Sequence, residues 1–138
     1  MRPNINIRFA NNNEGNTIRD LVVAGSDNWK ELNWEVVNPW WLVAETERDG
    51  ICACVQLLVG FPTSAIEFLA FKQGLPHTLK ALITKRLATA GLAALKNAGA
   101  SAVFGTVPYE MKNWKKLLKK QWNGTILTSG NLFFKRLQ

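Results

Sequence analysis

The clearest pattern of apolar and polar residues along the chain is a short apolar segment followed by a long amphipathic one, within Ser64–Gly99. Residues 65–71 form the apolar run of a strand, and a tight connection follows it. Apolar residues then recur at the 3.6-residue period of a helix, and Gly99 stands where a terminating glycine belongs. The apolar positions of this helix are 79, 82, 83, 87, 90 and 94.

The start of this helix is a candidate site for an anion. Free backbone N–H groups and the helix dipole both favour negative charge at such a position. His77 and Lys80 lie in the first turns and can add positive charge. The pattern predicts a phosphate-bearing cofactor, although the connection lacks the glycines of a P-loop or of a dinucleotide-binding fingerprint.

The remaining segments predict further strands and short helices. Asn4–Ala10 alternates as an edge strand does, and Asn11–Gly25 predicts a turn and a short helix. A second short helix is predicted after Ser26 and ends before Pro39. The later elements are a hairpin of residues 40–45 and 51–59 around Asp49-Gly50, a strand over Ala100–Val107, a lysine-rich helix over 111–122 and a closing hairpin over 125–128 and 132–137.

The order of elements is β–α–α–β–β–β–α–β–α–β–β, which predicts an α+β domain of three layers. A helix as long as the one before Gly99 is a natural crossover, so the strands that end at Phe71 and Val107 are expected to be parallel. Pro108 ends the later of these strands. The expected sheet is mixed and mostly antiparallel, with seven strands and with helices on both faces.

The composition predicts one globular domain over residues 1–138, because 47% of the residues are hydrophobic. The formal net charge of +7 is unevenly distributed. Residues 1–70 hold five Lys or Arg against nine Asp or Glu, whereas residues 71–138 hold twelve against Glu110 alone. This asymmetry predicts a cationic half for a nucleotide cofactor or a nucleic acid and an acidic half that attracts an amine. A solvated lysine-rich surface is an equally weighted alternative.

Several classes of protein are disfavoured by the sequence. There is no apolar run of ~18 residues and no charged-then-apolar leader, so neither a membrane partner nor a secretory signal is expected. Cys52 and Cys54 lie two apart on a predicted strand, share a face and are poorly placed to bridge each other. A reduced, cytoplasmic protein is therefore expected. With one histidine in the chain, no metal site is expected.

Specific segments resemble the Gcn5-related N-acetyltransferase (GNAT) family, and the match in element order covers nearly the whole chain. They are the hairpin WLVAE…DG, the strand IEFLAF ahead of the long helix, and the helix from Asn113 to Gly124. The resemblance implies an acyl-CoA N-acyltransferase fold, with acetyl-CoA as co-substrate and an amine as acceptor. It also implies that the fourth and fifth strands splay around the pantetheine arm and that amides at the start of the long helix bind the pyrophosphate.

The family's phosphate signature, Gln/Arg-x-x-Gly-x-Gly/Ala, is degenerate in this chain. Its key positions fall on Pro76, Leu79 and Ala81, so only the last small residue is kept. Pro76 is tolerated as a first-turn residue, whereas Leu79 brings a side chain to a point where backbone must approach phosphate. A shifted register through Gln73-Gly74 restores one glycine but not the whole pattern.

Positive charge is expected to compensate for the degenerate signature. Lys72, His77 and Lys80 are the candidates, and Thr78 is expected to cap the helix. Each of these residues is alternatively a plain surface or capping residue. The resemblance implies cofactor-binding roles for Leu69, Phe71, Lys72, Gln73, Gly74, His77, Thr78, Leu79, Lys80, Ala81 and Asn113.

Acyl transfer requires a deprotonated amine and a proton for the leaving thiolate. The family's base lies four residues before the end of the fourth strand, and Glu67 holds that relation to Phe71. A carboxylate in an apolar strand is costly unless it is used or paired, so a solvated or lysine-paired Glu67 is the alternative. The family's acidic tyrosine aligns with Lys120, and Tyr109, the one tyrosine of the chain, is the candidate substitute.

Three functions follow in order of preference. The first is an N-acetyltransferase that acts on a primary amine of a small molecule or peptide. The second is a catalytically inactive GNAT-fold binding or structural module, which the degenerate signature motivates. The third is a basic nucleic-acid-binding domain, supported by the lysines of residues 112–120 but by no base-reading motif. A nucleic-acid partner is therefore not favoured, and a homodimer is left open.

Overall fold

A computed structural model of the chain describes residues 4–25, 40–60, 63–106, 125–126 and 132–136. Within these ranges the chain forms seven strands, two α-helices and one short 3-10 helix. In chain order they are β1 (Asn6–Phe9), the 3-10 helix (Asn12–Glu14), α1 (Gly15–Gly25), β2 (Trp41–Thr46), β3 (Gly50–Leu58), β4 (Thr63–Phe71), α2 (His77–Asn97), β5 (Ala102–Thr106), β6 (Thr125–Ile126) and β7 (Leu132–Arg136).

The seven strands form one sheet in the order β1-β2-β3-β4-β5-β7-β6. β4 and β5 pair in parallel, from Thr63 opposite Ala102 to Ile66 opposite Gly105. β7 pairs antiparallel with β5 on one side and with β6 on the other. The predicted seven-stranded mixed sheet is therefore confirmed, and so is the parallel pair of strands that the long helix connects.

The chain divides into two compact units, each made of two segments. The first unit comprises Met1–Gln56 and Phe68–Gly91, and the second comprises Leu57–Glu67 and Leu92–Gln138. The divisions fall inside β3, β4 and α2 rather than in a linker. The assignment of residues 1–138 to a single domain stays a prediction.

The core of the first unit lies between α1 and one face of the sheet. Ile18, Leu21 and Val22 recur at helical spacing, and all three are buried. This packing holds the last residues of β4 in place ahead of the loop that follows. The strand residues in contact with them are Trp41, Val43, Cys54 and Ala70.

Cys52 and Cys54 are buried free thiols. A register shift between Ala44 and Glu45 interrupts the regular alternation of β3. Ile51 and Cys54 consequently pack in the same cluster beneath α1, and a shared face for Cys52 and Cys54 stays a prediction. The Cys52 thiol donates to the Ala44 carbonyl at 3.5 Å.

A charged cluster joins β1, β2 and the last residue of the 3-10 helix. The Arg8 guanidinium donates to both carboxylate oxygens of Glu14, at 2.7 and 2.8 Å, and to Glu45 at 3.0 Å. Glu14 also accepts the Asn11 backbone N–H at 2.7 Å. The Arg8 contact and the Asn11 N–H together lower the pKa of Glu14 to about 2.

The long helix is confirmed over His77–Asn97, and its most deeply buried side chains are Ile83, Leu87 and Leu95. Leu95 was outside the predicted apolar stripe, whereas positions 90 and 94 of that stripe are half-buried. Gly99, at φ 101°, ends the helix as predicted. Its N–H donates to the Lys96 carbonyl and the Ala100 N–H to that of Leu95, each at 3.0 Å, which is the Schellman arrangement.

Two predicted elements lie outside the described residues, namely the second short helix after Ser26 and the lysine-rich helix over 111–122. The predicted first strand, the short helix that ends at Gly25 and both hairpins are confirmed. Neither of the two helices described is long and apolar enough to cross a membrane.

Candidate functional site

The loop between β4 and α2 is held by backbone contacts at its first residue and by a buried side chain near its end. The Lys72 N–H donates to the Cys52 carbonyl of β3 at 2.7 Å. The chain then turns through Gln73 and Gly74, where φ is +85°, a conformation that favours glycine. Leu75 is 8% exposed and anchors the loop immediately before Pro76. The position of the α2 N-terminus is thus fixed relative to the end of β4.

The first turn of α2 carries backbone donors that the helix itself cannot satisfy. The Lys80 N–H donates to the Pro76 carbonyl at 3.0 Å, and this is the first bond of the helix. The N–H groups of His77, Thr78 and Leu79 therefore lack an acceptor within the helix. Pro76 precedes the helix instead of occupying its first turn, and Thr78 is its second residue, so the predicted capping role of Thr78 is wrong.

The charges around this helix start are positive. The Lys80 ammonium lies 5.8 Å from the centroid of the Phe71 ring, and the Lys72 ammonium lies 3.4 Å from the Asp49 carbonyl oxygen. Lys72 and His77 are exposed, and Lys80 is half-buried. The first turn of α2 contains no acidic residue. An anion placed at these donors would meet favourable charge and no opposing carboxylate in that turn.

Two key positions of the family signature, the substituted Leu79 and the retained Ala81, differ in their structural setting. Leu79 is half-buried and stands one turn before the fully buried Ile83, so its side chain continues the apolar side of α2. Its backbone N–H is still one of the three donors without a helical acceptor. Ala81 is exposed and small. The leucine therefore changes the side chain at this position without removing a backbone donor.

An unusual backbone conformation occurs within β4. Phe68 has φ 55°. In the part of the chain that the structure describes, it is the one residue other than glycine that has a positive φ. Such a conformation costs an aromatic residue of the order of 1–3 kcal/mol and persists where the surroundings impose it. The Phe68 ring lies 6.0 Å from the Trp41 ring, centroid to centroid. Glu67 and Leu69 flank Phe68, and both are half-buried.

Two predicted site residues, Tyr109 and Asn113, lie outside the described residues. Phe71, Lys72, Gln73, Gly74, His77, Thr78, Leu79, Lys80 and Ala81 are brought together at the end of β4 and the start of α2. Sequence inspection missed Gln56, a buried polar residue of β3, because its neighbours in sequence are apolar. In the ranges that the structure describes, no group of His, Cys, Asp and Glu residues could hold a metal ion.

No protein-family model matches the sequence, and no curated protein matches it. Solved structures match in fold. A GNAT-family acetyltransferase from Staphylococcus aureus Mu50 has a TM-score of 0.73 and 10% identity, over 98% of this chain and 100% of its own. The PaiA N-acetyltransferase from Thermoplasma acidophilum, in complex with coenzyme A, has a TM-score of 0.71 and 14% identity, over 97% of this chain and 99% of its own.

A third match is N-acetylglutamate synthase from Neisseria gonorrhoeae, complexed with coenzyme A and L-arginine. It has a TM-score of 0.74 and 13% identity, and 99% of this chain covers 34% of the synthase. The chain thus spans about a third of that protein. The chain has the GNAT acyl-CoA N-acyltransferase fold, as the sequence predicted.

Proposed function

We propose that this chain is an N-acyltransferase that moves an acetyl group from acetyl-CoA to a primary amine. The observation that carries the proposal is the start of α2. Three backbone N–H groups there lack a helical acceptor, Lys80 lies in the same turn, and that turn has no carboxylate. Neighbours with this fold, PaiA and the Neisseria synthase, were crystallised with coenzyme A. A diphosphate suits such a site, because backbone donors and the helix dipole act together.

In this proposal the amides between Gln73 and Ala81 bind the pyrophosphate of acetyl-CoA. Lys72 and Lys80 supply the positive charge that the degenerate signature lacks. Leu69 and Phe71, near the end of β4, border the pantetheine arm, as the resemblance implies. Gly74 allows the tight turn that brings these groups together, because its φ of +85° is strained for other residues.

The proposed reaction forms one bond and breaks one. The amine nitrogen attacks the thioester carbonyl carbon, and the carbon–sulfur bond then breaks, so that CoA leaves as a thiolate. Glu67 accepts the proton that the amine loses, directly or through one water. Tyr109 or solvent supplies the proton that the thiolate takes up. These two roles are proposals that rest on the positions of the residues in the sequence.

Calorimetric titration and a turnover assay together test the proposal. The protein is titrated with acetyl-CoA and, separately, with a nucleic-acid oligomer, and thiol release is followed with a panel of primary amines. We expect binding of acetyl-CoA and amine-dependent release of CoA. Binding without release on any amine would favour the inactive binding module. Binding of the oligomer alone would favour a nucleic-acid-binding domain.

A further inference from the structure

β1 lies at the end of the sheet, so one side of its backbone pairs with no other described strand. The Ala10 N–H donates to the Trp41 carbonyl at 2.8 Å, which fixes the phase of the ladder between β1 and β2. Hydrogen-bonded and non-hydrogen-bonded pairs alternate in an antiparallel ladder, so the Arg8 backbone bonds to β2. The N–H and C=O groups of its neighbours, Ile7 and Phe9, therefore face the open edge.

An open edge of this kind is a template for the strand of another chain. The Phe9 side chain is 47% exposed at this edge, and its ring lies 5.7 Å from the Trp40 ring, centroid to centroid. Exposed aromatic surface beside unpaired backbone favours association, because association would bury it. A second copy of the chain presents the same edge, and two such edges can pair antiparallel about a twofold axis.

Two arginine side chains bind backbone carbonyls at this end of the sheet. The Arg8 guanidinium donates through Nη1 to the Phe9 carbonyl at 3.1 Å. Arg86 of α2 donates through Nη1 to the carbonyl of Ile5, one residue before β1, at 3.2 Å. An incoming strand would have to displace both guanidinium groups before it could use the carbonyls two residues before and two residues after Ile7.

The guanidinium of Arg8 is fixed in this position. It makes five hydrogen bonds, four to the carboxylates of Glu14 and Glu45 and one to the Phe9 carbonyl. A guanidinium carries five N–H donors, so none is left over. Its charge is also balanced by the two carboxylates. Arg8 therefore occupies the carbonyl as a hydrogen-bonding group and not as an uncompensated charge.

We propose that Arg8 and Arg86 close the edge of β1 against pairing with a second copy of this chain. The two side chains act by occupying backbone acceptors, whereas an ordinary edge lysine acts by its charge. Their loss would free two carbonyls beside the exposed ring of Phe9. The inference concerns the assembly of the chain, so it holds whether or not the chain transfers acetyl groups.

The test measures self-association by sedimentation velocity over a range of protein concentrations. Arg8→Met with Arg86→Met should associate about 10-fold more tightly than wild type, because each freed carbonyl can accept a bond from the partner strand. Arg19→Met with Arg48→Met is the control, since both residues are exposed and the loss of charge is the same. The control should sediment as wild type does. Equal association of the two double variants, or none in either, would overturn the capping role.

A further substitution tests whether the association uses this edge. Ile7→Pro removes the outward N–H of residue 7 and leaves the backbone bonds between β1 and β2 in place. Added to Arg8→Met and Arg86→Met, it should restore the sedimentation of wild type. Association that persists after Ile7→Pro would overturn the proposal, because a contact elsewhere on the chain would then be responsible.

A single variant keeps the test decisive if loss of the Arg8 ion pairs prevents folding, as judged by circular dichroism. Arg86→Met breaks no ion pair within the ranges that the structure describes. It should associate more tightly than wild type, since the Ile5 carbonyl is freed. Sedimentation identical to that of wild type would overturn the role of Arg86 at this edge.

Discussion

Lys80 and Phe71 form a cation–π pair across the loop that joins β4 to α2, with the ammonium 5.8 Å from the ring centroid. The pair connects the last residue of the strand to the first turn of the helix. It also restricts a long, mobile side chain at a position where an anion is expected. A contact of this kind contributes about 0.5–1 kcal/mol where it is exposed.

The first prediction concerns the two lysines of this loop. Replacing both, Lys72→Ala with Lys80→Ala, should weaken acetyl-CoA binding about 10-fold and reduce its dependence on salt, because two favourable charges are lost. Calorimetry at two ionic strengths measures both effects. Lys85→Ala is the matched control, because Lys85 is exposed on α2 beyond the first turn. Unchanged affinity in the double variant would reject the compensating role of these charges.

The second prediction concerns the proposed base. Glu67→Gln keeps the size and hydrogen-bonding capacity of the side chain but removes its basicity. We expect kcat to fall roughly 10²- to 10⁴-fold with the affinity for acetyl-CoA unchanged. Glu47→Gln, in the exposed turn after β2, serves as a control and should retain full turnover. Wild-type turnover in Glu67→Gln would reject Glu67 as the base and leave Tyr109 or solvent as the group that transfers the proton.

The third prediction concerns stability at low pH. Glu14 has a folded-state pKa of about 2 against an ordinary value of 4.5, mainly because Arg8 donates to it. Its contribution is therefore complete above about pH 4.5 and is lost as the pH falls toward 2. Glu14→Gln should lower the free energy of unfolding by about 1 kcal/mol at pH 7, and this difference should shrink at pH 3. Urea denaturation at the two pH values measures it, and an equal difference at both would contradict the assignment.

The fourth prediction concerns the end of α2. Gly99 has φ 101°, which L-residues with a side chain rarely adopt. Gly99→Ala should therefore destabilise the protein by about 1–2 kcal/mol, as measured by thermal or urea unfolding. Gly15→Ala is the control, since Gly15 has helical φ of −56° and open space around its Cβ. If both substitutions have the same effect, the conformation of Gly99 is not what stabilises the helix end.

The fifth prediction concerns the cysteines. Burial raises the pKa of the Cys54 thiol to about 12, so the thiolate is scarce at neutral pH. Alkylation of the native protein at pH 8 should leave Cys54 unmodified, whereas the unfolded protein should react fully. Mass spectrometry of the alkylated peptides distinguishes the two. Rapid labelling of Cys54 in the native protein would show that β3 opens readily.

Much of the fold is predictable from local patterns. The hairpin around Asp49-Gly50 and the helix that ends before Gly99 carry turn and capping signals that depend on few neighbours. The burial of Leu95 is harder to predict from the sequence, because it depends on which side of α2 is covered near the end of the helix. The positive φ of Phe68 has no local signal, since an aromatic residue does not prefer that conformation and only its packing can impose it.

The residues of the candidate site likewise divide into those that local sequence patterns predict and those that depend on packing. Lys72, Lys80 and the backbone donors of α2 follow from the strand–loop–helix pattern. The buried carboxamide of Gln56 does not, because a single polar residue in an apolar strand equally well faces solvent. Its burial depends on Trp41, which lies directly opposite it on the neighbouring strand β2. Such pairings are fixed by the register of the strands rather than by proximity in the sequence.

The position of β7 has a consequence for the order in which the second unit assembles. β7 lies between β5 and β6, although it follows both of them in the sequence. The backbone of Ala102–Thr106 therefore has an open hydrogen-bonding edge until residues 132–136 become available. During synthesis on the ribosome, that edge stays exposed from the time β5 has emerged until residues 132–136 have emerged as well. Chains interrupted before Leu132 should accordingly be prone to edge-to-edge aggregation, because an unpaired strand edge readily recruits another.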